Sequence, residues 1–141
     1  GETMKIYEEI LKNADLGIEA IEAVKCRVQD ERFLNELAKE KRAYVSYRCE
    51  MERELSDSQV KDAVASKFQK AMMKFGTKMN TVFDSSNTNI AEMMIEGTNM
   101  GINDIQKEIN RMNADKEDVP PVAYEYIEMM QQNVDELRNY L

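Results

Sequence analysis

QVKDAVASKFQKAMMKFGTKMNTVF, residues 59–83, places Val60, Val64, Phe68, Met72, Phe75, Met79 and Phe83 at steps of three and four. That spacing puts the apolar side chains on one face of a helix. A helix of about 25 residues is about 37 Å long, enough to run from one end of a small helical domain to the other. The segment therefore reads as a helix that carries the chain back along its own fold. A break is expected near Gly76.

Upstream, Met4 to Val28 repeats the pattern with Tyr7, Ile10, Leu11, Ala14, Ile18, Ile21 and Val28. "QDER" (29–32) interrupts it, and Asp30 suits the N-cap of a second helix, Glu31 to Leu55, carrying Leu34, Leu37, Tyr44, Met51 and Leu55. "SDSQ" (56–59) offers Ser56 or Ser58 as the next cap. Downstream, "DSSNTN" (84–89) is a loop of residues that bond their own backbone. A fourth helix follows from Thr88 or Asn89 to about Met112, with Ile90, Met93, Met94, Gly97, Gly101, Ile105 and Ile109 on one side. "NADKEDVPP" (113–121) breaks the chain, and its prolines suit the first turn of a last helix, which has no use for their missing N–H. That helix runs to Leu141 through Tyr126, Met130, Val134 and Leu137. No segment alternates with period two, so the expected class is all-α.

The whole chain, 1–141, reads as one domain. Its residues are 43% apolar and 33% charged, which gives both a core and a solvated surface. With 19 basic against 27 acidic residues the net charge is −8. That balance argues against nucleic acid, whose phosphates require a basic field, and against an anionic membrane surface. No apolar run reaches the ~20 residues of a membrane span. "GETMKIYEEI" (1–10) lacks the basic and apolar regions of a signal peptide. Cys26 and Cys49, on two arms of a hairpin, should stand more than about 20 Å apart, too far for a disulfide. Free thiols and no leader point to the cytoplasm.

Four long helices with one long, mostly helical crossover between the second and third form a recognisable arrangement. "ILKNADLGIEAIEAV" (10–24), "FLNELAKEKRAY" (33–44), "IAEMMIEGTNMG" (90–101) and "YIEMMQQNVDEL" (126–137) resemble the bacterial branch of the ferritin-like four-helix-bundle superfamily. The resemblance covers about residues 5–140 and rests on helix patterns with an acidic residue in each. It implies a bundle, often oligomeric, in a superfamily whose best-known members bind two iron or manganese ions. The site would take a Glu from each of two helices and Glu-x-x-His from the other two. Matched position by position, the resemblance offers Glu22 (or Glu19), Glu40, Glu96 and Glu128 as metal ligands. The chain contains no histidine. Ala43 and Gln131 stand where the imidazoles would be.

Two readings follow. In the first, the metal centre is lost, there is no cofactor, and a non-enzymatic bundle works through self-association, a dimer being favoured, or through a protein partner. In the second, a weak iron or manganese site persists on the four glutamates, which must then converge. Thioether coordination of copper is disfavoured, because Met93 and Met94 point about 100° apart on a helix. The methionines read as core filler instead. Gly97 and Gly101 are expected to admit close packing against an aromatic side chain such as Tyr7 or Tyr44, or to open a small cavity. Without histidine no Ser-His-Asp or Cys-His arrangement exists. The two cysteines read as packing residues.

Overall fold

The computed structural model describes residues 2–64 and 86–141. Every regular element among them is helical: α1 (Glu2–Lys25), α2 (Glu31–Glu54), α3, whose described part is 57–64, α4 (Asn87–Ala114) and α5 (Pro121–Leu137). A single 3-10 turn, Arg138–Tyr140, closes the chain. The all-α expectation holds, and no helix among the described residues is long and apolar enough to cross a membrane.

The helix starts follow from side chains that satisfy otherwise orphaned backbone N–H groups. Asp30 Oδ1 accepts from the backbone N–H of Arg32 at 2.9 Å and of Phe33 at 3.3 Å. Ser56 and Gln59 form a reciprocal capping box, Ser56 Oγ accepting from the Gln59 N–H and Gln59 Oε1 from the Ser56 N–H. Ser86 Oγ caps α4 by accepting from the Asn89 N–H. Pro121 sits in the first turn of α5. At the other end of α4, Lys116 adopts a left-handed backbone with φ of 58°. That turn lets the Glu117 N–H reach the Met112 carbonyl at 2.9 Å, closing the last helical carbonyls.

Short turns make α1–α2 and α4–α5 antiparallel hairpins. Asp15 pairs with Arg48 at 3.1 Å and Glu22 with Lys41, so rising numbers on α1 meet falling numbers on α2. The hairpins join along two seams. On the first, α1 lies against α4, with Lys5 3.5 Å from Glu108 and Asn13 beside Gly101. On the second, α2 lies against α5. There Phe33 stacks on Tyr140 with centroids 4.4 Å apart, and Tyr47 meets Tyr126 edge-on at 5.1 Å. All four neighbouring pairs thus run antiparallel. Asn87 Nδ2 donates to Asp30 Oδ2, which places the start of α4 beside the start of α2. The end of α2 lies at the opposite end, where Tyr7, Met51, Glu54, Pro120 and Val122 line a shallow cavity of about 150 Å³. The chain therefore leaves α2 at one end and enters α4 at the other. Phe68, Met72, Phe75, Met79 and Phe83, with the expected break at Gly76 and the rest of the crossover, lie outside the described residues.

The core is built from one stripe per helix. Ile6, Ile10, Leu11, Ala14, Ile18, Ile21 and Val24 on α1 are at most 6% exposed. They meet Phe33, Leu37, Tyr44 and Met51 from α2, Ile90, Met94, Ile105, Ile109 and Met112 from α4, and Tyr126, Met130 and Leu137 from α5. Three expectations are corrected here. The methionines divide: Met51, Met94, Met112 and Met130 are core, but Met93 is partly buried and Met100 is 60% exposed. Tyr44 lies over Gly17 rather than over Gly97 or Gly101. Cys26 and Cys49 are free and exposed instead of packed.

Candidate functional site

Whether these helices hold a dinuclear metal centre depends on where four carboxylates point. On α5 the inward residues are Ala123, Tyr126, Ile127, Met130, Asn133, Val134 and Leu137. At about 100° per residue, position 128 lies on the far side from 126 and 130, and Glu128 is exposed. On α4, Met94 and Thr98 face inward, so Glu96, two residues from each, also points out and is exposed. Glu22 lies on the flank of α1, where Lys25 Nζ at 2.6 Å and Lys41 Nζ bind its carboxylate. Those two partners, Lys25 first, hold the carboxyl below its ordinary range. The alternative, Glu19, is exposed. Of the four ligands the resemblance suggests, only Glu40 lies in the interior, and the structure does not bring the set together. Among the described residues no three of His, Cys, Asp and Glu stand close enough to hold a metal ion. A donor set without imidazole, with one carboxylate already bound by lysines and two facing solvent, does not fit paired iron or manganese.

The interior contains a different polar constellation. Glu40 is 1% exposed and Glu36, one turn earlier on α2, is 8% exposed. Lys39 Nζ reaches Glu36 Oε1 at 2.9 Å from its exposed position on the same helix. That contact raises the Lys39 ammonium pKa. Among the described residues, Glu36 Oε2 and both oxygens of Glu40 meet no hydrogen-bond donor. Burial first, then hydrogen bonding and charge from Glu36, push the Glu40 carboxyl far above the ordinary carboxylate range. Lys39 opposes this shift and Glu136 on α5 adds to it.

One turn further along α2, Tyr44 is 3% exposed and takes up the room above Gly17. Burial, and then the Glu40 charge, raise its phenol pKa to about 12, against the hydrogen-bonding influence of Asn133 and Thr98. Thr98 Oγ1 itself donates to the Met94 carbonyl at 2.7 Å. A second polar layer follows, where the Tyr126 hydroxyl donates to Asn13 Oδ1 across the α1–α5 diagonal. The Tyr126 and Tyr44 rings stand 6.3 Å apart. A Cβ on Gly101 would collide with the Asn13 amide, so glycine is what admits that side chain.

Glu36, Thr98 and Asn133 are absent from the sequence-derived site, and Glu40 appears there only through the family resemblance. A local signal existed for each. Glu36 and Glu40 continue the step of three and four that joins Phe33, Leu37 and Tyr44. Thr98 lies between Met94 and Gly101, and Asn133 between Met130 and Leu137. A polar residue interrupting an apolar stripe is a buried polar residue in waiting. Chemically, the constellation can retain a proton and hold facing helices in register. Both thiols, on exposed Cys26 and Cys49, lie outside it. No protein-family model, curated protein or solved structure matches the chain.

Proposed function

We propose that the chain is a non-enzymatic bundle of ferritin-like arrangement that acts by association, with a second copy of itself as the principal partner. The order of antiparallel pairs supports the arrangement, as does the chain's exit from α2 and entry into α4 at opposite ends. The absence of a converging ligand set among the described residues weighs against the weak iron or manganese reading.

The observation that carries association is the outer face of α4. At mid-helix, Met100 is 60% exposed, and Met93 lies two turns earlier at the edge of the core. Between them, a Cβ on Gly97 would meet nothing within 4 Å among the described residues. A flexible apolar side chain beside a glycine is a surface on which another helix can approach closely. Cytoplasmic residence belongs to the same proposal and rests on the free thiols of Cys26 and Cys49.

Sedimentation velocity over a wide concentration range tests the proposal. A dimer is expected, and its interface should bury on the order of 1,200–2,000 Å². Met100→Lys should shift the equilibrium toward monomer while leaving the helical signal unchanged. A wild-type protein that stays monomeric at every concentration would refute self-association.

A further inference from the structure

The α2–α5 seam has a proton balance that ionised side chains do not satisfy. A carboxylate accepts hydrogen bonds and donates none. If Glu36 and Glu40 were both ionised, neither could bond the other, and three oxygens would lie in the interior without a donor, as found. Two negative charges one helical turn apart would also repel each other in a medium that screens poorly. Among the described residues only one of the four oxygens, Glu36 Oε1, has a partner, the Lys39 ammonium at 2.9 Å. An isolated buried carboxylate relieves such a situation by taking up a proton.

We infer that Glu36 and Glu40 form a single acid–carboxylate pair, in which Glu40 keeps a proton at neutral pH and donates it to Glu36 Oε2. The assignment follows from the surroundings of each group. Glu36 has the Lys39 ammonium beside it, which compensates the one negative charge of the pair. Glu40 is the deeper of the two and has no cation in contact among the described residues. The pair and Lys39 then sum to zero charge. One O–H supplies the donor that Glu36 Oε2 lacks, and the remaining Glu40 oxygen is left as a neutral carbonyl, far cheaper to bury than an anion.

The other titratable groups facing the pair agree with this arrangement. Glu136, from α5, adds negative charge and makes ionisation of Glu40 harder. Tyr44, on α2, is itself held neutral by burial. The direction in which burial and Glu36 push the Glu40 carboxyl is the one the geometry requires. A proton and an ammonium group thus neutralise interior carboxyls in a fold where the resemblance leads one to expect dications. The missing metal fit and the orphaned oxygens have one explanation, which does not depend on whether the chain associates.

The test is a pH titration of the side-chain carboxyl carbons by NMR in the wild-type protein, from about pH 5 to about pH 8. Ordinary glutamates complete their ionisation near the lower limit of that range. The Glu40 carbon is expected to stay at its protonated position throughout. Glu40 ionising within the ordinary glutamate range would overturn the inference. So would elemental analysis finding stoichiometric iron or manganese that Glu40→Gln removes. Glu40→Gln supplies a second readout, because its amide N–H can replace the O–H that reaches Glu36. It should fold and should hold its melting temperature as the pH rises, whereas the wild type falls. A Glu40→Gln protein that melts lower than wild type at every pH would refute the pairing. If that variant failed to fold, the wild-type titration would still decide the question.

Discussion

Replacing Gly17 with alanine sets two opposed effects against each other. Gly17 lies in the middle of α1, where alanine favours the helix by up to about 1 kcal/mol. Its new Cβ, however, would stand 2.6 Å from Tyr44 Cε2, 2.7 Å from Cζ and 2.8 Å from Cδ2. Real contacts at such distances require something to move. The Tyr44 ring has little freedom to do so, being 3% exposed with Tyr126 behind it and Asn133 and Thr98 at its hydroxyl. Overpacking of this kind costs roughly 1–3 kcal/mol. The clash should therefore exceed the helix gain, leaving the variant about 1–2 kcal/mol less stable than wild type. Gly97→Ala, measured at a concentration where the protein is monomeric, is the matched control, since within one chain it brings the same helix gain into open space. It should be more stable than wild type by about 0.5–1 kcal/mol. Urea unfolding followed by helical circular dichroism measures both, and the gap between the variants isolates the clash. If Gly17→Ala were as stable as Gly97→Ala, the placement of Tyr44 over α1 would be wrong.

Further expectations follow from the core, a cap and the buried acid. Phe33 is fully buried and stacked on Tyr140, so Phe33→Ala should cost about 3–5 kcal/mol in the same unfolding assay. Lys116 holds a left-handed backbone at φ 58°. Lys116→Gly should therefore stabilise the protein by about 1 kcal/mol, visible as a higher urea midpoint. Glu40 binds its proton more tightly when folded than its ordinary value of 4.5 allows. Stability from this group is complete below that value and declines as pH rises through the neutral range, by at most about 1.4 kcal/mol per pH unit for one proton. Melting curves should thus show the wild type losing ground to Glu40→Gln as pH increases, and parallel curves would refute the shift.

Helix positions were legible in the sequence because apolar spacing and caps are local signals. Asp30 and Ser56 act as caps, Pro121 opens α5, and Ile10, Leu11, Ile18 and Ile21 form the buried stripe of α1. The interior polar groups were less legible, because a stripe reveals which face is buried and not which polar residues can be accommodated there. Glu40 was named for a metal, yet its neighbour Glu36 and the lysine that neutralises it define its chemistry. Glu96 and Glu128 came from a resemblance that matched residue type along each helix. Two residues along a helix is a rotation of about 200°, so an offset of that size turns a ligand outward. Gly97 and Gly101 show the same difficulty. They lie on neighbouring faces, yet one is open and the other is filled by Asn13, a partner distant in sequence.

The two polar layers explain why these helices should adopt one register rather than several. Apolar stripes at a period of three to four look much the same after a slip of one turn, so they specify which faces meet better than they specify alignment along the axis. A buried hydrogen bond between particular positions breaks that degeneracy, because a slip would leave its members unsatisfied in the interior. Asn13 and Tyr126 form such a pair between α1 and α5, with Gly101 leaving room for the amide. The single change Tyr126→Phe leaves the Asn13 amide short of a donor and should cost about 1–3 kcal/mol. The double change Asn13→Leu with Tyr126→Phe removes both partners and should restore much of that stability. If the pair sets register, the double variant should nevertheless show broadened or duplicated backbone amide resonances while keeping full helical content. A single sharp set of resonances in the double variant would show that apolar packing and the connecting turns fix the alignment without it.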